Sequence, residues 1–157
     1  MCVHPRVTNH HAAEIEREAS EMPDFCEWTA AERAKLLNVC TFGAKYLSCG
    51  QKDLGMSFHA YCSFKHLSEA FELPGQTAKQ CQYLETVVPP ATAWILLAGQ
   101  KIYKLCECNQ TVYHSLEQWA DWERSFDKVA AVEGLQSSVK HNALQAWEEM
   151  YKIEGKL

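Results

Sequence analysis

Apolar residues recur at helical spacing along most of the chain, and no stretch sustains the period of two that a half-buried strand requires. The first periodic stretch runs from Ala12 to Ser20, with Asn9 placed to cap it and Pro23 to close it. Thr29-Ala30-Ala31-Glu32 has the form of a capping box, in which hydroxyl and carboxylate satisfy orphan amides reciprocally. Behind it Leu36, Val39, Cys40, Gly43, Tyr46 and Leu47 share helical spacing, and Gly50 supplies the stop. A third helix starts at Asp53, carries Leu54, Phe58, Tyr61, Phe64, Leu67 and Phe71, and breaks at Pro74-Gly75.

A short helix from Thr77 to Thr86 leads into Pro89-Pro90, and one of these prolines takes the first turn of the next helix, where a missing N–H costs nothing. Ala91 to Cys106 is apolar on nearly every side around Trp94-Ile95-Leu96-Leu97-Ala98, which predicts the central buried helix. Gly99 within it costs about 1 kcal/mol relative to Ala, so a neighbouring helix is expected to approach closely there. Ser115 to Val132 sets Trp119, Trp122, Phe126 and Val129 on one face. The last helix, Ser138 to Ile153, aligns Val139, Ala143, Ala146 and Met150, with Leu144, Trp147 and Tyr151 alongside. The pattern predicts an all-α single domain of six or seven helices around a central one, with residues 1–28 peripheral and 29–153 the helical core.

Charge narrows the function classes. Lys and Arg number 15 against 20 Asp and Glu, a net charge of −5, and no basic stripe stands out, which argues against nucleic acid as a partner. The longest apolar run, Ala93 to Gly99, falls far short of the roughly 20 residues of a membrane span. With no apolar leader at the start, the expected location is cytoplasmic. Eight cysteines at irregular gaps, without a C-x2-C pair, read as reduced core residues rather than a disulfide framework or a structural zinc site.

Candidate chemistry gathers on the third helix. His59, Cys62 and His66 follow at i, i+3 and i+7, which places all three on one stripe. Imidazole and thiolate together suit zinc or copper, but one helix offers at most three ligands, so no metal and no cofactor are expected and a histidine acting as acid or base is preferred. Cys106-Glu-Cys108 directs its two thiols apart, and the acids Glu117, Asp121 and Glu123 share a face with Arg124 and Lys128, as a solvated surface would. Trp94, Tyr103, Trp119 and Trp122 are core by spacing, and aromatic rings with a few polar groups also form small-ligand pockets. Serine-hydrolase, nucleotide-binding, calcium-binding and zinc-protease motifs are all missing.

The run Ala91-x-x-Trp94-Ile95-x-x-Ala98-Gly99-x-x-Ile102-Tyr103 resembles the hallmark of a helical domain-of-unknown-function family from filamentous fungi. Leu37-Asn38, Asp53-Leu54 and Glu69-Ala70-Phe71-Glu72 are similar to that family's preceding block, and Trp119-x-x-Trp122 with the closing Ala146 to Met150 helix also fits. Lys65 and Ser68 depart from the aromatic and Arg that members tend to carry there. The resemblance implies a fungal source and an all-α fold, and it brings no catalytic residues with it.

Two functions remain. The first is a small cofactor-independent enzyme or ligand-binding protein of fungal specialised metabolism. An apolar small molecule would sit among Cys62, Trp94, Tyr103, Trp119 and Trp122, with His59 or His66 catalytic. The second is a helical interaction module without chemistry, which presents an acidic surface to a protein partner or to a second copy.

Overall fold

The structure is a computed structural model and describes residues 25–50, 54–73, 77–109 and 111–157. The expected helix Ala12–Ser20 lies outside the described residues, as do Asp53 and Pro74-Gly75. Within them the fold is all-helical: a single 3-10 turn, Phe25–Glu27, precedes α1 (Ala30–Ser48), α2 (Leu54–Glu69), α3 (Thr77–Cys108), α4 (Leu116–Ala130) and α5 (Ser137–Ile153). There are thus five helices among the described residues, not six or seven. The closest approach to a sheet is one isolated bridge between Thr111 and His114.

The count differs for two reasons: Ala12–Ser20 lies outside the described residues, and Pro89-Pro90 does not divide the chain. Residues 77 to 108 form one helix of 32 residues, with both prolines inside it. A proline in a helix interior removes an N–H and crowds the carbonyl four residues back, at about 3 kcal/mol. Glu85 and Thr86 therefore lose the helical donors that residues 89 and 90 would have supplied. Burial of Leu84, Val87, Val88, Ala91 and Trp94 against the neighbouring elements offsets that cost. The helix α3 touches the 3-10 turn and each of the other four helices. It is not buried all round, however. Leu96 and Leu97 face outward, so the apolar circumference overstates its enclosure.

Local signals hold at several ends. Thr29 caps α1: its hydroxyl accepts from the Glu32 N–H at 3.3 Å, while its own N–H donates to Glu32 Oε2 at 2.7 Å. Gly50 follows the helix with φ of +89°, a left-handed conformation that costs glycine little. Along α1, Cys40, Gly43, Ala44 and Leu47 turn inward, but Val39 and Tyr46 do not share that face and stand exposed with Phe42. In α4 the predicted face Trp119, Trp122, Phe126 and Val129 is buried, and in α5 so is Val139, Ala143, Ala146 and Met150, with Leu144 left outside.

Two glycines mark close crossings. A Cβ on Gly99 would lie 2.8 Å from Ile153 Cδ1 of α5, the approach the sequence anticipates. The tighter one is Gly43, where a Cβ would meet Trp94 Cη2 at 2.8 Å, Trp94 Cζ2 at 3.2 Å and Met56 Sδ at 3.3 Å.

Candidate functional site

The sequence-predicted site residues distribute over four places. Trp94 is wedged between α1 and α2, 1% exposed, and its indole N–H donates to Ser63 Oγ at 3.1 Å. Trp122 packs at a tilt against Phe64, ring centroids 4.4 Å apart. Tyr103 and Trp119 do come together, edge to face at 5.0 Å. On α2, helical spacing gives His59, Cys62 and His66 different surroundings. His59 is exposed, Cys62 half-buried, and His66 lies beside Phe25 at 5.2 Å with its Nδ1 3.4 Å from Glu69 Oε2. Burial holds the His66 pKa below the usual value, against the opposing pull of Glu69. Burial also pushes the Cys62 thiol up to about 11, so near neutral pH it is a protonated thiol and a poor ligand or nucleophile. The thiols of Cys40, Cys81 and Cys106 are buried, and burial drives Cys106 to about 12. Among the described residues no three His, Cys, Asp or Glu side chains gather as a metal site.

A second face of α2 carries an aromatic cluster that spacing alone did not single out. Phe58 and Tyr61 stack at 6.1 Å, and Tyr113 packs against both, at 4.9 Å from Phe58 and 5.0 Å from Tyr61. All three rings are half-buried, and His59 stands exposed at the edge, 6.4 Å from Phe58. The segment that delivers Tyr113 is fixed from both ends. Asn109 leaves α3 with φ of +48°, a left-handed turn that Asn tolerates, and Ser115 caps α4 by accepting the Gln118 N–H at 3.1 Å.

The next residue, His114, is 0% exposed and edge-on to Trp122. Its Nδ1 is 2.8 Å from the Thr111 hydroxyl, whereas Nε2 is buried without a hydrogen bond of normal geometry. Burial lowers its pKa, and the Ser57 backbone partly offsets that. A fully buried imidazole hydrogen-bonded within its own loop is closed to a ligand as an acid or base. No spacing rule flags a lone loop histidine, so the sequence gives no sign of it.

The third cluster corrects the reading of Glu123 as a solvated acid. Its side chain is only 14% exposed and faces Lys156, with Glu123 Oε2 3.6 Å from Nζ. Glu154, which follows α5, accepts from Lys156 at 2.6 Å and from the Trp119 indole N–H at 2.8 Å. Burial, then the hydrogen bond and charge of Glu154, push Glu123 up to about 7. For Glu154 burial acts upward, but bonds from Glu123, Lys156 and Trp119 outweigh it and hold it low. The pair therefore holds one proton below about pH 7, on Glu123. The arrangement fastens the residues after α5 onto α4.

Fold and site together define an all-helical domain with one long proline-interrupted helix and an aromatic face on α2. The chain belongs to the family described as "Protein of unknown function (DUF3632)", which matches it over residues 9–150. No curated protein and no solved structure matches the chain. No helix among the described residues is long and apolar enough to cross a membrane.

Proposed function

We propose that the chain is a binding domain for an apolar, ring-bearing small molecule, which lies on the face formed by Phe58, Tyr61 and Tyr113. The observation that carries this is the mutual contact of three half-buried rings. Aromatic faces of this kind supply large contact area at low entropic cost. His59, at the exposed edge of Phe58, is the histidine that a ligand here would meet, whereas His66 is turned to Phe25 and Glu69. Binding rather than catalysis follows from the polar groups: Trp94 and Trp119 spend their N–H donors on Ser63 and Glu154, and Cys62 holds its proton. Fungal specialised metabolism is the setting of this reading, and the resemblance contributes to it only a fungal source.

The test is a titration of the full chain with 1-naphthol, followed by melting temperature. At a hundredfold excess over Kd, binding to the folded state adds about 2.7 kcal/mol. That corresponds to a rise of roughly 5–10 °C for a domain of this size. Tyr61→Ala with Tyr113→Ala should abolish the rise, and His66→Ala should keep it. A rise that survives loss of both tyrosines, or no rise in the wild type, refutes the proposal.

A further inference from the structure

Trp119 and Glu123 stand at i and i+4 on α4, and both reach the residues that follow α5. Gly155 turns those residues back. Its φ is +72°, its N–H donates to the Lys152 carbonyl at 3.0 Å, and the Lys156 N–H donates to the Tyr151 carbonyl at 2.9 Å. A left-handed closure of this kind suits glycine. The turn brings Glu154 and Lys156 against α4. Glu154 Oε1 accepts the Trp119 indole N–H at 2.8 Å, and the Glu123 carboxyl donates to the same carboxylate. Lys156 Nζ completes the group, 2.6 Å from Glu154 Oε2, 3.6 Å from Glu123 Oε2 and 4.9 Å from the centre of the Tyr151 ring.

Two acids thus share one ammonium. With a proton on Glu123 the three groups are neutral together. Without it, two carboxylates whose side chains are 14% and 13% exposed face each other across a single cation. Like charges held out of water in this way repel. Glu154 and Lys156 are the charged groups that act on Glu123. From α3, Tyr103 faces Glu154 and Lys156; burial, then Glu107 and Glu154, raise its hydroxyl, so it stays protonated. From α5 comes the ring of Tyr151. None of these supplies a second cation. We propose that Glu154–Lys156 is a proton-held strap: one proton between Glu123 and Glu154 keeps it closed on α4, and loss of that proton to solvent opens it and frees the Trp119 indole N–H. The closed strap keeps the Glu123 proton up to about pH 7, whereas the open strap gives it up near the ordinary 4.5. Opening between these values releases a proton, so the open fraction rises with pH there and levels off above.

The experiment follows solvent exchange of the Trp119 indole proton by NMR in the full chain, with Trp119→Phe assigning the resonance and the rate of a free indole divided out. In the wild type the opening ratio should rise about 40-fold between pH 5 and 7 and at most double again above. Glu123→Gln, whose amide donates to Glu154 with no proton to lose, should make the ratio flat over that range. Gly155→Ala strains the turn, so it should raise the ratio at every pH and keep the slope. The backbone amide of Phe126, buried on α4, should open less often than the indole at each pH, which marks the strap as a local opening. A flat ratio in the wild type overturns the proposal. So does a slope that survives Glu123→Gln, or an indole that opens only as often as the Phe126 amide.

Discussion

Gly43→Ala should destabilise the protein although alanine is the better helix former. In an open helix the exchange gains about 1 kcal/mol. Here the new methyl would lie 2.8 Å from Trp94 Cη2 and 3.3 Å from Met56 Sδ. Met56 can swing aside, but Trp94 cannot, since its indole is 1% exposed and held to Ser63 at 3.1 Å. Overpacking against such a rigid group costs about 1–3 kcal/mol, so after the propensity gain of about 1 kcal/mol the net loss is about 0–2 kcal/mol. The same exchange at Gly99 meets only Ile153 Cδ1 at comparable distance, the end of a flexible side chain, and should come out near neutral. Urea melts with a constant slope are the assay, and Gly43→Ala should lie below both Gly99→Ala and the wild type. Trp94→Phe removes the obstructing atoms, so Gly43→Ala added to that background should become neutral or stabilising. The reasoning fails if the two glycine substitutions behave alike, or if the penalty at Gly43 persists without the indole.

Three further outcomes are expected. Burial keeps His66 and His114 below the ordinary histidine value of 6.5, so the fold favours their neutral rings. Their contribution is complete above about pH 6.5 and is lost as the pH falls from there through the folded-state values; His114→Gln should flatten that loss in melting temperature against pH. Glu123, raised to about 7, contributes with the opposite sign, and its share fades as pH rises from 4.5 to 7, so Glu123→Gln should remove that slope. Native thiol labelling at pH 8 should modify the exposed Cys49 and Cys108 first and the buried Cys106 last, with equal rates at these positions counting against the assigned burial.

How much the sequence disclosed depends on the range of the interaction. Where an element is set by its own periodicity or cap, as at Thr29-Glu32 and on the Trp119 face of α4, pattern and structure agree. Pro89-Pro90 misled because a proline rule is local, whereas the burial that keeps α3 whole comes from other elements. Spacing likewise put His59, Cys62 and His66 on one stripe, yet it could not say how far that stripe turns toward the core. The partners of Glu154 were beyond reach for the same reason: Trp119 lies 35 residues away in the chain, and only folding makes them neighbours. Tyr113 and His114 sit in a loop, where no periodicity operates at all.

The proline pair in α3 also bears on how the domain opens. A helix unzips along its hydrogen-bond ladder, and here two consecutive rungs are absent by covalent chemistry, at the Glu85 and Thr86 carbonyls. The stretch before the gap is tied to its surroundings by Arg33 to Glu85, by the Thr86 hydroxyl to the Phe25 carbonyl and by Gln80 to the Ala70 carbonyl. The stretch after it carries Trp94 and Gly99 into α1, α2 and α5. One continuous rod should therefore behave as two exchange units, with deuterium entering the amides of residues 77–88 through openings that leave those of 91–108 protected.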